Sequence, residues 1–354
     1  MNWSPAAILP NLSAKKAVEG EIIALAPSHD PRVSAFCTAH PKFKELISRF
    51  TDAFHVPLDP VVLIVRDDAV PKLAEVEPLA SFRDLVALCV VPYARSLGIV
   101  YGNGDRISYA NSFWLYPWML SKDNQHIVAS TPAIQAFHAV EQFHGQSSPD
   151  LSEMELRDVD EPLFEALLLR WKRHYVGKRQ RWQDRALFRS LNMATQAAQL
   201  PAGVDVTLYD LGRMVALWVS AFEILAHPRI GKSGLLRVYS LLEQVSYFER
   251  NVARRGYAAY TPLKKPWPRR ALACWLYGKL YQARCDFLHG NAIRADRLNF
   301  TGAEIGLFWV APCLYRLALT AFLKLSSERK RQTRFHVDPQ SIIERAILRA
   351  RKPK

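Results

Sequence analysis

Apolar positions recur along the chain with two different periods, and the change between them falls near residue 150. Before that point the pattern is mixed. Val61–Val65, with the sequence VVLIV, predicts a buried strand, and Ser81–Leu97 has the apolar spacing of a helix. Ile107–Leu120, rich in aromatic residues, predicts strand or extended core, whereas Thr131–Phe143 predicts a helix. We therefore predict an α+β region over residues 1–150.

After the candidate linker Gly145–Ser152, helical periodicity dominates and strand patterns nearly vanish. The predicted helices are Leu163–Tyr175, Arg185–Gln199, Thr207–His227, Leu235–Arg254, Ala271–His289 and Ala303–Leu325. They predict an all-α helical bundle over residues 151–330. Residues 331–354 predict a basic C-terminal helix and tail, with Asp338–Arg351 as the helix, so the protein is expected to be mainly α overall.

The amino-acid composition is typical of a globular chain, and the net charge differs between its first and last parts. Of the 354 residues, 49% are hydrophobic and 23% charged, which argues against disorder along most of the length. Counting Lys and Arg against Asp and Glu, residues 1–150 sum to −3 and residues 251–354 to +15. A basic field confined to one region indicates an anionic partner, with nucleic acid or phosphate as the first candidates. A solvated basic surface with a basic tail is the alternative.

The remaining patterns exclude several classes of site. The five scattered cysteines contain no CxxC spacing, which fits neither a disulfide framework nor a zinc site and is typical of a reducing cytoplasm. No secretory signal is expected at the N-terminus. Gly306–Leu323 is strongly apolar, but Pro312 and Arg316 interrupt it, so a buried helix is expected and no membrane span. His138, Glu141 and His144 match no common metal spacing; we expect no metal, and no motif indicates a cofactor.

The most unusual segment is Lys279–Asn291, KLYQARCDFLHGN, which places Arg284 and His289 at the end of a predicted helix. An arginine that faces a core is costly unless it is paired. One interpretation is therefore structural. Arg284 would pair with a carboxylate such as Glu223, and His289 would cap the helix end.

The same residues carry a resemblance to a known family. An arginine, four residues and a histidine at the end of a late helix resemble the HEPN superfamily, named for its higher-eukaryote and prokaryote nucleotide-binding members. LYQARCDFLHG is similar to the Apea-like branch, in which an aromatic residue precedes the arginine and a glycine follows the histidine. Upstream, ALWVSAFEILAHP resembles the earlier helix of that branch with its internal glutamate, here Glu223. The resemblance covers roughly residues 187–325 and implies a HEPN-like helical domain.

The resemblance implies a function, because catalytic members of the superfamily are metal-independent ribonucleases. It implies Arg284 and His289 as the catalytic residues, with Glu223, Tyr281, Asp286 and Gly290 in support. Histidine titrates near neutral pH and can move the protons of RNA cleavage, while a guanidinium can clamp the phosphate oxygens. Such sites are commonly completed across a homodimer, and RNA would be held by the basic residues in 251–354. A role in prokaryotic defence or stress is a further implication.

Two classes of function stay open. Cys285 stands where active members usually carry Asn, Asp or His, and several relatives keep the fold without cleaving RNA. The alternative is therefore a noncatalytic helical module that binds nucleic acid, a nucleotide or a protein partner. For residues 1–150, one hypothesis is a sensor or regulatory role. The other hypothesis is that this region is itself the active domain.

Overall fold

The computed structural model describes residues 2–52, 54–102, 107–121, 127–129, 145–146, 152–177, 181–199, 207–262, 265–291, 298, 305–325 and 338–351. The first elements are β1 Trp3–Leu9, β2 Leu12–Ala14, β3 Val18–Glu19, β4 Ile23–Pro27, α1 Pro31–Ala39, α2 Pro41–Ser48, β5 Phe50–Thr51 and β6 Val61–Arg66. These are followed by α3 Val76–Tyr101, β7 Trp118–Leu120, β8 Ile127–Ala129, β9 Gly145–Gln146, β10 Ser152–Met154 and α4 Glu161–Tyr175. The last are α5 Trp182–Ala197, α6 Leu208–Leu225, α7 Leu235–Leu242, α8 Arg250–Ala253, β11 Tyr257–Ala258, β12 Arg269–Arg270, α9 Leu272–Leu288, α10 Leu307–Leu323 and α11 Pro339–Arg351.

The chain divides into two compact units that do not follow a single cut. Unit 1 comprises Met1–Asp84, Asn111–Asp158 and Trp171–Lys178, and unit 2 comprises Leu85–Ala110, Val159–Arg170 and Arg179–Lys354. Helices α3 and α4 therefore each contribute to both units, whereas the sequence pattern had placed one boundary near residue 150. The candidate linker Gly145–Ser152 is described only at its ends, and the predicted helix Thr131–Phe143 lies outside the described residues.

Unit 1 is built on a four-stranded antiparallel sheet in the order β1-β6-β4-β3. Alternate residues of its strands, among them Ile8, Ala24 and Ile64, pack on one face against Val33 of α1 and Phe43 of α2. The predicted strand Val61–Val65 is confirmed as β6. It lies between β1 and β4, and Val61 to Ile64 are all buried, which explains an unbroken apolar run where a half-exposed strand would alternate.

Unit 2 is a helical bundle arranged around α6, which packs against α5, α9 and α10. Its centre is aromatic: the Phe222 ring lies 5.3 Å from Tyr315 and 4.9 Å from Tyr277, measured between centroids. The prediction of a mainly helical chain with an α+β beginning is confirmed at this coarse level. Gly306–Leu323 is confirmed as the buried helix α10, and Arg316 within it is 4% exposed.

A buried polar network joins four elements of unit 2. The Arg316 guanidinium on α10 donates from Nε to Asp160 Oδ2 at 2.7 Å, and from Nη1 to Gln340 on α11. Gln340 Nε2 in turn donates to Glu344 Oε1 at 2.7 Å. Glu344 accepts the backbone N–H groups of Phe248 and Glu249 at 3.1 and 2.7 Å, at the start of α8. The network therefore ties the start of α4, α10, α11 and the start of α8 together.

This network explains two differences from the predicted helices. Leu235–Arg254 was expected to be one helix, but α7 ends at Leu242 and α8 begins only at Arg250. The break is stabilised by tertiary contacts, because Glu344 holds the two N–H groups before α8 and the Tyr247 hydroxyl donates to the Leu242 carbonyl at 2.8 Å. The C-terminal helix is confirmed as α11. It is a core element, with Ile342, Ile343, Ala346, Ile347 and Ala350 at 0% exposure.

Helix α3 is long and apolar enough to cross a membrane by length and composition. However, 83% of its most apolar window is buried inside the protein, as expected for a core helix. Arg95 in the same helix is fully buried and donates to three carbonyls: Ser108 at 2.6 Å, Phe308 at 2.8 Å and Ala198 at 3.3 Å. Burial lowers the Arg95 pKa to about 10.

We expect Arg316→Ala to lower the free energy of unfolding by about 3–5 kcal/mol, because it leaves the buried Asp160 carboxylate without its partner. Denaturant unfolding followed by helical circular dichroism measures the change. Arg237→Ala, at an exposed arginine of α7, is the matched control and should stay within about 0.5 kcal/mol of wild type. A loss below about 1 kcal/mol for Arg316→Ala would contradict a structural role for the network.

Candidate functional site

The predicted site residues lie on two antiparallel helices, α6 and α9, or directly after α9. Phe222, near the end of α6, contacts Tyr277 in the first half of α9. At the other end, a Cβ placed on Gly212 of α6 would lie 2.6 Å from Cδ2 of Phe287, near the end of α9. The two helices therefore approach closely at both ends.

Glu223 of α6 and Arg284 of α9 are electrostatic neighbours in this packing. Side chains on a helix lean toward its N-terminus, so on antiparallel helices Glu223 and Arg284 lean toward each other. Burial raises the pKa of Glu223, and the positive charge of Arg284 opposes that rise. The structure places no ion pair within 4.0 Å between them, although both side chains are described, so the two residues are neighbours without direct bonding.

The Arg284 guanidinium retains unused donors. Its Nε is buried and has no hydrogen-bond partner among the described residues. Its Cζ lies 5.9 Å from the centre of the Tyr281 ring, one turn earlier on α9. Tyr281 is thus an aromatic neighbour of Arg284. The ion pair between Arg284 and Glu223, which the structural interpretation of the sequence predicts, is not found between those two described side chains.

Tyr277 is a member of this cluster that sequence reasoning missed. It is 0% exposed, and its hydroxyl has no hydrogen-bond partner in the described part of the chain. Burial raises its pKa well above the usual value, and the charges of Glu223 and Arg284 also act on it. Tyr277 precedes Arg284 by seven residues, about two helical turns, so the spacing alone places both on one face of α9. We call Glu223, Tyr277, Tyr281 and Arg284 the α6–α9 polar cluster.

The end of α9 has a defined cap. His289 is the C-cap residue of α9, and its backbone N–H donates to the Cys285 carbonyl at 3.0 Å. Gly290 follows with φ +69°, the left-handed conformation that favours glycine. The N–H of Asn291 then donates to the Asp286 carbonyl at 3.0 Å, which is the long bond of a Schellman cap. Gly290 is therefore where the chain turns away from the helix.

Asp286 and His289 are placed differently from the cluster. The Asp286 carboxylate accepts a bond from Asn291 Nδ2 at 3.2 Å, and no described contact joins it to His289 or Arg284. His289 is exposed, and within the described ranges no side-chain bond of its imidazole is found. Five positions turn a helix by about 140°, so one α9 presents Arg284 and His289 at the same end but in different directions.

The remaining predictions concern the cysteines and a possible metal site. All five cysteines are free, and Cys285 is half-buried on α9. Among the described residues, no group of three or more His, Cys, Asp or Glu is arranged to hold a metal ion. His138, Glu141 and His144 lie outside those residues.

Comparison with protein-family models, with curated protein sequences and with solved structures finds no match to the chain.

The raised pKa of Glu223 predicts a pH-dependent stability. A carboxyl group whose pKa is higher in the folded state stabilises the fold while it is protonated. That contribution is lost as the pH rises through the folded pKa. Glu223→Gln, which stays neutral, should therefore gain stability relative to wild type between pH 4 and pH 7, as measured by denaturant unfolding at both values. Glu165→Gln, at an exposed glutamate of α4, is the control; an equal pH response in both variants would contradict the burial of charge at Glu223.

Proposed function

We propose that this protein is a metal-independent endoribonuclease of the HEPN type. Arg284 and His289 of α9 are the catalytic residues, and RNA is the substrate. Glu223 and Tyr281 support Arg284, and Gly290 turns the chain so that His289 stands at the helix end. The proposal rests on the resemblance of the Arg-to-His segment to that superfamily and on the condition of Arg284 in the fold.

One observation carries the proposal: the half-buried Arg284 guanidinium makes no hydrogen bond or ion pair with the described residues. An arginine with a structural role is expected to use its donors, as Arg95 and Arg316 do in the same unit. Arg270 also has a buried Nε without a partner, but its Nη1 donates to Glu243 at 2.7 Å. Arg284, by contrast, has only the Tyr281 ring beside it among the described residues. An unbonded guanidinium donor, near the same helix end as an exposed histidine, fits a phosphate clamp better than a core ion pair.

The chemistry follows from the two residue types. The exposed imidazole of His289 is accessible to a 2′-hydroxyl or to a leaving 5′-oxygen, and imidazole can serve as base or acid near neutral pH. Arg284 would stabilise the negative charge that the phosphate gains in the transition state. Attack by the 2′-hydroxyl on the adjacent phosphorus breaks the bond to the 5′-oxygen. The products are then a 2′,3′-cyclic phosphate and a 5′-hydroxyl, so the reaction balances with no further reactant.

A homodimer would complete such a site. Because α9 directs Arg284 and His289 apart, two copies of α9 about a two-fold axis could bring the arginine of one protomer to the histidine of its partner. The outer end of the α6–α9 pair supports association, since it exposes Leu208 by 39%, Tyr209 by 70% and Leu288 by 52%. Apolar side chains grouped at one end of a helix pair are typical of an interaction surface.

Two features favour the alternative, a noncatalytic module that binds nucleic acid, a nucleotide or a protein partner. Cys285 occupies the position that active members usually fill with a polar residue. Asp286, the neighbouring carboxylate, is bonded to Asn291 and does not support His289 within the described contacts. Under this alternative, the α6–α9 polar cluster would bind without cleaving.

The proposed setting is the cytoplasm, which agrees with five free cysteines. A role in defence or stress belongs to the same proposal, with the region of residues 1–150 as a sensor or regulator.

The dimer is tested by sedimentation at micromolar concentration. We expect wild type to sediment as a dimer, and Tyr209→Glu with Leu288→Glu to sediment as a monomer, because like charges would meet across the axis. Leu169→Glu, at a 68% exposed leucine on α4, is the matched control and should leave the dimer intact. A strictly monomeric wild type, with and without RNA, would remove the basis for a shared site.

The chemistry is tested by incubating the purified protein with RNA in EDTA. His289→Ala should abolish cleavage. Arg284→Ala should slow it by about 30- to 1,000-fold, since one transition-state donor is worth about 2–4 kcal/mol. Arg284→Lys should rescue poorly, because an ammonium lacks the planar fork, and Cys285→Ala should be nearly silent.

The matched controls are His29→Ala, at an exposed histidine of unit 1, and Arg237→Ala; both should cleave as wild type does. Circular dichroism of each variant separates lost activity from lost fold. Cleavage that requires a divalent metal and survives His289→Ala would contradict the proposal. Tight RNA binding by wild type without any cleavage would move the protein to the noncatalytic class.

A further inference from the structure

A row of aromatic and basic side chains leads away from Arg284 along the surface of unit 2. Its members, which we call the aromatic–basic ladder, are Arg284, Tyr281, Tyr260, Trp267 and Lys265. The Tyr281 and Tyr260 rings lie 6.3 Å apart, and the Tyr260 and Trp267 rings 5.4 Å, between centroids. Lys265 Nζ lies 5.1 Å from the centre of the Trp267 ring. Arg284 and Lys265 thus stand at opposite ends of three successive rings.

The ladder is held by fixed backbone contacts. Tyr260 and Trp267 belong to the hairpin of β11 and β12, in which the Ala259 N–H donates to the Pro268 carbonyl at 3.0 Å. The Tyr239 hydroxyl on α7 donates to the Tyr260 carbonyl at 2.8 Å. On α9, a Cβ at Gly278 would lie 2.5 Å from that hydroxyl, so glycine makes room for the Tyr239 hydroxyl that holds Tyr260. The Tyr260 backbone is therefore anchored to α7 beside α9.

The rings are partly open to solvent and lie in a segment rich in basic residues, two of which, Arg255 and Arg270, pair with Glu243. Tyr260, Trp267 and Tyr281 are half-buried, and Lys265 is exposed. Residues 251–291 contain eight Lys or Arg and a single acidic residue, Asp286. Aromatic faces interleaved with cations are the surface that single-stranded nucleic acid requires, because bases stack on the rings while cations follow the phosphates. A protein partner would instead favour an uncharged apolar centre.

We propose that the aromatic–basic ladder binds single-stranded RNA by stacking unpaired bases on Tyr260, Trp267 and Tyr281. In a duplex both faces of each base are covered by neighbours, so these rings can engage only unpaired bases. The ladder ends at Arg284, and this inference therefore rests on the proposed function for the site of cleavage. It assigns that site a single-stranded substrate, with the bound strand passing from Lys265 toward Arg284.

The test uses the full chain carrying His289→Ala, so that binding is measured without cleavage. The probe is a fluorescein-labelled, unstructured 20-nucleotide RNA, alone or annealed to its complement, followed by fluorescence anisotropy. We expect the single strand to bind at least tenfold more tightly than the duplex. Trp267→Leu should weaken single-strand binding by at least about fivefold, and Trp267→Phe should restore most of it, because the phenyl ring still stacks.

Two further variants keep the test decisive. Lys265→Gln leaves the rings in place and should lower the slope of log affinity against log salt by about 0.7, the value for one phosphate contact on a single strand. Trp114→Leu, at a 43% exposed tryptophan of unit 1, is the matched control and should bind as the parent does. Equal affinity for single strand and duplex, or unchanged binding in both Trp267→Leu and Lys265→Gln, would overturn the ladder.

The outcome is separable from that of the ribonuclease proposal. If the wild-type chain never cleaves the probe but binds it through the ladder, the ladder proposal is supported and only the ribonuclease proposal is contradicted. Cleavage by wild type with binding that ignores the ladder would do the reverse.

Discussion

The buried contact between Arg316 and Asp160 is the constraint on which unit 2 depends. Both side chains are almost completely buried, at 4% and 1% exposure, and removing either one would leave the other charge uncompensated. Through Gln340 and Glu344, this contact is also bonded to α11 and to the backbone just before α8. The hairpin of β11 and β12 follows α8 directly and leads into α9. The position of the candidate site is thus linked through the chain to a polar network in the core.

Polar groups in this unit fall into two kinds, those with hydrogen-bond partners among the described residues and those without. Arg95, Arg316 and Glu344 are satisfied by carbonyls, a carboxylate or backbone N–H groups. Tyr277 and Arg284 keep buried atoms without partners among the described residues. Leaving a buried donor without a hydrogen bond costs about 1–3 kcal/mol, and Trp218 and Arg270 of this unit carry such atoms as well. Two of these groups, Tyr277 and Arg284, lie at the candidate site on α9.

Periodicity predicted the elements that are long and amphipathic or uniformly apolar. The predicted bounds lie within a few residues of the observed ones for β6, α5, α6, α9 and α10. In these elements the spacing of apolar residues directly reflects which side chains are buried. The strands β11 and β12 were missed, because two-residue strands that include Arg269 and Arg270 show no alternation. The break between α7 and α8 was missed because it depends on Glu344, nearly a hundred residues away.

The candidate site shows the same limit at the level of single residues. Sequence reasoning selected Arg284, His289, Glu223 and Tyr281, and the fold brings three of these together. It overlooked Tyr277, although a seven-residue spacing to Arg284 was visible, because a tyrosine on an apolar helix face resembles ordinary core. It assigned Asp286 a supporting role in the site, but the Asp286 carboxylate accepts a hydrogen bond from Asn291 at the end of α9.

The unsatisfied groups of α9 also require that stability be supplied elsewhere in unit 2. Tyr277 and Arg284 each lower the stability of the fold, because a buried donor of each lacks a hydrogen bond. Glu223 adds the cost of a partly buried carboxyl group. Close packing of α9 offsets part of this: Gly212 of α6 admits the Phe287 ring, and Gly278 admits the Tyr239 hydroxyl. One of these contacts lies next to Tyr277, within the polar cluster, and the other lies beyond Arg284, near the end of the helix. They fix the helix while leaving the guanidinium unbonded, which is the arrangement that a preorganised anion clamp needs. An ion pair at Arg284 would instead occupy the guanidinium donors and leave fewer of them for an anion.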